Sequence, residues 1–246
     1  MRKQRKINNF YVFYRISDSG TPNSMKLNCA TKINCLKNAL DAFKGANFII
    51  HIDNVIESTD EQIHKLCGNY DNVTIKYLNC GGNSKSFRII YEDALDLNDD
   101  DYIYFLEDDY LHLDGSFELM KEFAERNYTD YVTLYDHPDK YAEGCVEINP
   151  YCKFFGEKTI LFRTQNHHWK ITNSTTMTFG TFADTLKRDK EVFWKYTTEN
   201  IPKDFLLFIE LGKEDKLLSS PVPSLSTHCN KGYTAPFIDW EKCAMK

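Results

Sequence analysis

The stretch DDDYIYFLEDDY, residues 99–110, joins a short apolar run to three consecutive carboxylates. The apolar part, residues 102–106, predicts a buried strand. Glu107, Asp108 and Asp109 follow without a break. Carboxylates at the end of a buried strand repel one another and resist the loss of water, so such a cluster is typical of a cation site. A solvated loop entry is the alternative for an acidic triplet taken by itself.

Three strand–helix units precede this stretch. Apolar runs predict strands at residues 10–16, 47–52 and 73–78, and helical spacing predicts helices at residues 31–43, from Ser58 onward, and around Phe87 to Leu97. The strands are nearly continuous apolar runs and do not show a regular alternation of apolar and polar residues. This pattern predicts an α/β fold with a mostly parallel central sheet covered by helices on both faces.

Polar residues follow each predicted strand. Residues 15–19, Asp53, the Gly81-Gly82 loop and the acidic triplet occupy these positions. In open parallel sheets, ligands bind beyond the carboxyl ends of the strands. We therefore expect these four segments to meet at one edge of the sheet.

The second half is less regular. Strands are predicted at residues 131–135 and 158–163, and helices at 179–187, around Val192 to Tyr196, and from Pro202 to a stop at Gly212. No repeat or linker divides the chain. The prediction is one domain, residues 1–246, with a nucleotide-binding half at 1–110 and a smaller acceptor-binding half at 111–246.

Composition limits the classes of partner. The chain has 246 residues, a 42% hydrophobic fraction and a net charge of -6, which does not favour nucleic-acid binding. Residues 89–120 contain eleven Asp or Glu and no Lys or Arg. This local excess suits a cation, or a phosphate that arrives with one.

The eight cysteines form no CxxC pair, so a zinc ribbon is not indicated. No signal peptide and no transmembrane segment are recognisable. We expect reduced thiols in a cytoplasmic protein. The sequence leaves the oligomeric state open.

The strand–helix pattern, the run Phe105-Leu106-Glu107-Asp108-Asp109 and a late Thr227-His228 together resemble nucleotide-sugar glycosyltransferases of the GT-A fold, closest to the family 2-like enzymes. The run resembles a variant DxD motif with Glu107 at its first position. The resemblance implies a divalent ion, Mn²⁺ or Mg²⁺, held by Asp109 and His228 with Glu107 near the metal and the ribose. Asp108 is either a further contact to the donor or a structural neighbour, and His228 is otherwise a surface histidine.

The same resemblance places a nucleotide diphosphate sugar over the first strand ends. Asp53 would accept from a uracil-type N–H, which favours a UDP-sugar, or would instead form an Asx turn. Arg88 would reach the diphosphate or would be a solvated helix residue. The full set of donor-binding residues implied is Tyr14, Arg15, Asp53, Gly81, Asn83, Ser84, Arg88, Glu107 and Asp108.

An inverting transferase needs a base that takes the proton of the acceptor hydroxyl. Asp204, early in the Pro202 helix, matches the position of this base in the family, although an acid there also suits the helix dipole. Asp136 is the rival, and Glu199 and Glu210 are weaker candidates. A retaining mechanism stays open because it would not need a base in this place.

Trp169 is either a stacking platform for a sugar or a core residue, and the core alternative is the commoner one.

The function implied is metal-dependent transfer of a sugar to a glycan or other hydroxyl acceptor. The alternatives are an inactive GT-A-like module that binds a sugar nucleotide or glycan, and a nucleotidyltransferase. The latter commonly carries a basic, Gly-rich first loop, whereas residues 17–24 contain one Gly and no Lys or Arg.

Overall fold

Four parallel strands form the first half of the sheet, as the sequence predicts. In the computed structural model, which describes residues 2–20, 25–141, 149, 152–153 and 156–243, these strands are β1 (Phe10–Ile16), β2 (Asn47–Asp53), β3 (Val73–Leu78) and β4 (Tyr102–Glu107). The helices between them are α1 (Lys32–Ala42), α2 (Glu57–Cys67) and α3 (Asn83–Leu95). Thr31 caps α1, because its Oγ1 accepts a hydrogen bond from Asn34 N at 3.1 Å.

The second half adds short strands and longer helices. The strands are β5 (Tyr110–His112), β6 (Tyr131–Val132), β7 (Cys152–Lys153), β8 (Gly156–Glu157), β9 (Leu161–Arg163), β10 (His168–Thr172), β11 (Phe179–Phe182), β12 (Leu218–Val222) and β13 (Ser226–His228). The helices are α4 (Ser116–Arg126), α5 (Ala183–Tyr196), α6 (Asp204–Lys213) and α7 (Trp240–Cys243). Pro138–Lys140 forms a short 3-10 turn.

The central sheet has nine strands in the order β3-β2-β1-β4-β11-β6-β12-β10-β9. Only β11 and β10 run against the others, because β11 is antiparallel to β4 and β6, and β10 is antiparallel to β12 and β9. The sheet is therefore mostly parallel, as predicted, and it continues from the first half of the chain into the second. The carboxyl ends of β1, β2 and β4 lie at the same edge.

The helix predicted at residues 179–187 begins four residues later than expected. Residues 179–182 form β11, and one helix, α5, covers residues 183–187 together with the separate short helix predicted from Val192 to Tyr196. Phe179 and Phe182 have helical spacing, but they pair with Phe105 and Tyr102 of β4. A long-range pairing that completes the sheet outweighs the local pattern.

Three other boundaries differ from the sequence prediction. The strand predicted at 131–135 pairs only through Tyr131 and Val132, while Tyr135 forms a single bridge with Ser226. The strand predicted at 158–163 begins at Leu161. Helix α6 continues past Gly212 to Lys213, and the chain turns at Asp215, whose φ is 60°.

Apolar cores cover both faces of the sheet. On one face, Phe43 of α1 and Phe123 of α4 pack against Tyr104 and the strands around it. On the other, Phe87 of α3, Phe193 of α5 and Phe208 of α6 surround Phe105 and Phe179. This arrangement of helix, sheet and helix holds the strand ends rigidly.

No helix in the described part of the chain is long and apolar enough to cross a membrane. The seven cysteines that the structure describes are all free thiols, and Cys145 lies outside the described residues. The predicted polar connection between Asp139 and Glu157 is described only in part.

Candidate active site

A cavity of about 240 Å³ opens at the carboxyl ends of β1, β2 and β4. We call it the first cavity. It brings together eight of the residues that the sequence predicted for a site: Arg15, Asp53, Asn83, Glu107, Asp108, Asp109, Asp204 and His228. These residues come from six separate parts of the chain, which the sheet edge gathers together.

Each carboxylate of the acidic triplet has a basic partner. Arg15 Nη2 lies 2.5 Å from Glu107 Oε1, in neighbouring strands where the two residues are directly paired. Lys32 Nζ, at the start of α1, lies 2.7 Å from Asp108 Oδ2, and the same oxygen accepts a hydrogen bond from Ser17 N at 2.9 Å. Burial nevertheless raises the pKa of Asp108 above its usual value, against the opposing effect of Lys32.

Asp109 has two basic partners on one oxygen. Its Oδ2 lies 3.2 Å from Lys26 Nζ and 3.2 Å from His228 Nε2. Burial alone would raise the pKa of Asp109, but His228 and Lys26 outweigh it and hold that pKa well below the usual range. Burial alone would lower the pKa of His228, but the neighbouring Asp109 outweighs this effect, so the pKa of His228 is raised.

The C-terminal strand β13 holds His228 in this position. It pairs antiparallel with β5, placing His228 opposite Tyr110, and Cys229 N donates to Asp109 O at 2.8 Å. The imidazole and the carboxylate are therefore fixed by backbone hydrogen bonds on both sides of the contact. The late Thr227-His228 pair is part of a strand beside the acidic triplet.

Asp109 and His228 are hydrogen-bonded to each other, with 3.2 Å between Asp109 Oδ2 and His228 Nε2. This distance is also close to the separation of about 3 Å between neighbouring ligands of an octahedral ion with bonds of about 2.1 Å. Among the described residues, no group of three or more His, Cys, Asp or Glu is arranged to hold a metal. Glu107, paired with Arg15, does not complete such a group. The donor set present fits an ion that takes its remaining ligands from phosphate and water, as Mg²⁺ and Mn²⁺ commonly do.

Only some of the residues that were predicted to bind the nucleotide lie at the first cavity. Asp53 lines it, and its Oδ1 accepts hydrogen bonds from Asn54 Nδ2 and Cys80 N, both at 2.8 Å. Gly81 has a φ of 64°, which a glycine adopts without strain, and the adjacent Gly82 and Asn83 line the cavity. Asn83 O also accepts from Arg15 Nη1 at 3.1 Å.

Four predicted donor-binding residues, Tyr14, Gly81, Ser84 and Arg88, are not among those that line the first cavity. Tyr14 is 1% exposed in the core, and Ser84 is equally buried in the first turn of α3. Arg88 instead donates to Thr197 Oγ1 at 2.9 Å and to Trp194 O at 2.6 Å. Its side chain joins α3 to α5, so the structure gives it a packing contact and does not place it at the diphosphate.

The two candidate bases have different surroundings. Asp204, the first residue of α6, lines the first cavity, and burial raises its pKa to about 6. Asp136 lies outside the described lining of that cavity. Asp136 Oδ1 is 2.8 Å from Lys170 Nζ, and its Oδ2 accepts from Tyr141 OH at 2.7 Å, so both of its oxygens are engaged in the acceptor-side half.

The weaker candidates lie elsewhere. Glu199 and Glu210 pair with Lys203 and Lys195 at the surface. Trp169 is fully buried, and its ring stacks on Phe123 with centroids 4.2 Å apart. It is a core residue of β10.

Sequence reasoning missed several residues of the cavity. Lys26 and Lys32 are the most important, because they neutralise two of the acids, and Ser86, Thr176 and Ile201 also line the site. The signal for Lys26 was its place directly after the turn-rich loop at residues 17–24. Residues 17–24 contain no basic residue, and this counted against a nucleotidyltransferase. Lys26 lies just after this loop and lines the cavity, so the lack of a basic residue no longer counts against that function.

Comparison by structure finds similar folds at low sequence identity. Staphylococcus aureus TarS, residues 1–349, a GT-A-like glycosyltransferase, aligns over 86% of this chain and 57% of its own with a TM-score of 0.52 and 14% identity. The chain has a GT-A-like fold. A longer TarS structure gives 86% and 35% coverage, a TM-score of 0.51 and 13% identity, so the chain spans little more than half of one TarS structure and about a third of the other.

A second kind of enzyme shares this GT-A-like fold. The 4-diphosphocytidyl-2C-methyl-D-erythritolsynthase of Anaerococcus prevotii DSM 20548 aligns over 96% of this chain and 94% of its own, with a TM-score of 0.50 and 10% identity. Neither the family models nor the curated proteins give a match to the sequence. The likeness is therefore one of fold, and the activity has to be argued from the site.

Proposed function

We propose that the protein is a metal-dependent glycosyltransferase that moves a sugar from a nucleotide diphosphate sugar to a hydroxyl group of a glycan or another acceptor. The observation that carries the proposal is one cavity lined by Asp109 and His228 and also by the partly buried, weakly acidic Asp204. Asp109 and His228 suit a diphosphate with its metal, and Asp204 suits an acceptor hydroxyl. A UDP-sugar is the favoured donor because Asp53 lines the nucleotide end.

The charge balance of the first cavity supports a metal. Arg15, Lys32 and Lys26 are each already paired with one acid of the triplet. A diphosphate would add negative charge to a cavity whose basic side chains are largely neutralised. A divalent ion held by Asp109 and His228 would restore the balance, and as a Lewis acid it would stabilise the charge on the departing nucleoside diphosphate.

The acceptor side requires a proton acceptor. Asp204 has a pKa of about 6, so its carboxylate is ionised at neutral pH and is more basic than an ordinary aspartate. A base with a pKa near the working pH combines the correct protonation state with sufficient proton affinity. Asp204 would hold the acceptor hydroxyl and take its proton, which is the role of the base in an inverting transferase. Asp136 stays the rival and would first have to leave Lys170.

Nucleotidyl transfer is the second candidate. The whole-length likeness to the Anaerococcus prevotii enzyme and the basic Lys26 and Lys32 beside the cavity favour it. The two reactions differ in their products, because sugar transfer releases a nucleoside diphosphate whereas nucleotidyl transfer from a nucleoside triphosphate releases pyrophosphate.

For the cellular site we propose the cytoplasm, where free thiols such as those described here persist.

The deciding experiment screens nucleotides by thermal shift and then identifies products. UDP-sugars, GDP-sugars and nucleoside triphosphates are each added with Mn²⁺, since a ligand that binds the folded state raises Tm. The donors that respond are then incubated with the protein, and nucleoside diphosphate and pyrophosphate are measured. Release of nucleoside diphosphate from a sugar nucleotide supports the proposal. Release of pyrophosphate supports the second candidate, and binding without either product indicates an inactive module.

We expect Lys26→Met to bind Mn²⁺ more tightly than the wild type in the absence of nucleotide. Lys26 Nζ contacts the same Asp109 oxygen that would ligate the metal, and methionine keeps an apolar chain of similar length without the charge. Calorimetric titration with Mn²⁺ measures this, and Lys242→Met, at an exposed lysine, is the matched control. Unchanged Mn²⁺ affinity together with loss of UDP binding would assign the diphosphate to Lys26 and not to a metal.

A further inference from the structure

A second cavity, of about 220 Å³, adjoins the first. Asp204 and Thr176 line both cavities, whereas His137, Asp139, Ser174 and Phe205 are among the residues that line only the second. Asp204 therefore stands where the two spaces meet. A group bound in the second cavity would face the candidate base from the side opposite the acidic triplet.

The polar groups of the second cavity are held in place. Asp139 Oδ2 accepts a hydrogen bond from Ser174 Oγ at 2.8 Å, and Asp139 Oδ1 lies 2.9 Å from His137 Nδ1. The side chain of Asp139 is still 27% exposed, but its Oδ1 is buried, so a further donor would have to approach Oδ2. A fixed carboxylate and an imidazole next to an apolar wall such as Phe205 suit a sugar ring, which presents hydroxyls at its edge and C–H groups on its face.

Charge distinguishes the two cavities. Arg15 and Lys26 line the first, but within the described residues no lysine or arginine lines the second. The nearby Lys140 is fully buried, and its Nζ lies 3.5 Å from Asp139 Oδ2. Its positive charge therefore offsets the charge of that carboxylate, although Lys140 is not among the residues that line the cavity. The second cavity thus offers no free cation to a phosphate or carboxylate, and its chemistry favours an uncharged ligand.

We propose that the second cavity is the acceptor site, and that it takes an uncharged sugar ring with a hydroxyl directed at Asp204. This inference rests on the proposed glycosyltransferase function and adds the chemical class of the acceptor unit. Phe205 would pack against the ring, and Asp139 and His137 would fix its hydroxyls.

Simple glycosides test the assignment without knowledge of the natural acceptor. Methyl glycosides of glucose, galactose and N-acetylglucosamine serve as uncharged probes, and glucuronic acid and glucose 6-phosphate serve as anionic probes. Binding is measured by saturation-transfer NMR in the presence of UDP and Mn²⁺. We expect at least one uncharged glycoside to bind saturably and the anionic probes to bind more weakly. Equal or tighter binding of the anionic probes would overturn the proposal.

Variants locate the binding. Phe205→Ala removes the apolar wall without leaving a charge behind, and Asp139→Asn removes the carboxylate while Lys140 keeps its contact with Asn173 Oδ1 at 2.7 Å. For each variant we expect glycoside affinity to fall about fivefold or more, with UDP binding and Tm close to wild type. Asp71→Asn, at an exposed position, is the matched control.

The outcomes separate this inference from the function on which it rests. If UDP binds in wild type but glycoside affinity is unchanged in both folded variants, or no glycoside binds, the second cavity is not the acceptor site. If no nucleotide binds to the wild type, the proposed function itself fails. Loss of glycoside affinity in Phe205→Ala with UDP affinity retained supports the acceptor site even if Asp139→Asn fails to fold.

Discussion

Asp109→Asn is expected to lose Mn²⁺-dependent binding of UDP, with an affinity reduced by about 100-fold or more. Replacing residues that only orient a metal ligand commonly costs 10–100-fold in metal affinity, and Asp109 would be a ligand itself. The amide keeps the shape of the side chain but not its charge, so it cannot balance a divalent ion. Calorimetry with UDP, in the presence and absence of Mn²⁺, measures the effect.

Two controls accompany Asp109→Asn. Asp114→Asn makes the same change at an exposed position five residues along the chain and should leave UDP affinity unchanged. Lys26 is only 4% exposed and loses its carboxylate partner in this variant. Thermal melting is therefore measured to show whether the variant still folds. If wild-type protein binds UDP equally well with Mn²⁺ and with EDTA, the metal assignment is wrong, and Lys26 and Arg15 provide the positive charge.

Asp204→Asn is expected to retain donor binding but to transfer sugar about 10²-fold more slowly, or slower still. Asparagine keeps the size of the side chain and cannot accept the proton. Steady-state kinetics with a responding donor and acceptor give kcat, and calorimetry gives donor affinity. Near-normal turnover in Asp204→Asn would transfer the role of base to Asp136 or indicate a retaining mechanism, and NMR of the anomeric proton of the product decides between these.

The pH profile of the wild type should reflect the same group. A base acts only when it is deprotonated, and the pKa of Asp204 is about 6. We therefore expect kcat/KM for the acceptor to rise about tenfold per pH unit below about pH 6 and to level off above it. In Asp204→Asn this rise should disappear from the residual rate. A profile that is flat from pH 5 to 8 in wild type would contradict the assignment.

Asp204 should also reduce the stability of the fold. Burial raises its folded-state pKa from 3.8 to about 6, so ionisation disfavours the folded state, and this loss of stability develops as the pH rises between these values. At neutral pH, Asp204→Asn should therefore increase the free energy of unfolding by about 1–3 kcal/mol. The gain should vanish below about pH 4, where the carboxyl group is neutral in both states. A variant that loses activity yet melts at a higher temperature separates a functional from a structural role.

The first half of the fold was predictable because its information is local. β1, β2 and β4 are nearly continuous apolar runs, and each helix between the strands has a regular apolar face. The edge strand β3 is less apolar, with Thr74 and Lys76 exposed. In the second half, the strands are short and depend on distant partners. Gly180 of β11, for example, lies opposite Tyr104 of β4 and Val132 of β6, and nothing in residues 179–182 indicates those neighbours.

The site shows the same division. The acidic triplet and His228 were recognisable because carboxylates after a buried strand and a late Thr-His pair are local features. Their basic partners were not, because Lys26 and Lys32 come from a loop and from the start of a helix without any motif of their own. Likewise, Arg88 could not be separated from a phosphate ligand by sequence, since its partners Thr197 and Trp194 lie on another helix.

The pairing of β13 with β5 has a consequence for shortened forms of the protein. His228 reaches Asp109 only when residues 226–228 lie along residues 110–112. The two strands are far apart in the sequence, because residues 113–225 lie between them. A polypeptide that stops before Ser226 would contain the four parallel strands and the whole acidic triplet, yet it would have neither the imidazole nor the strand that fixes the triplet. Activity should therefore require a chain that extends through His228, and a ribosome must synthesise residues 226–228 before the site can assemble.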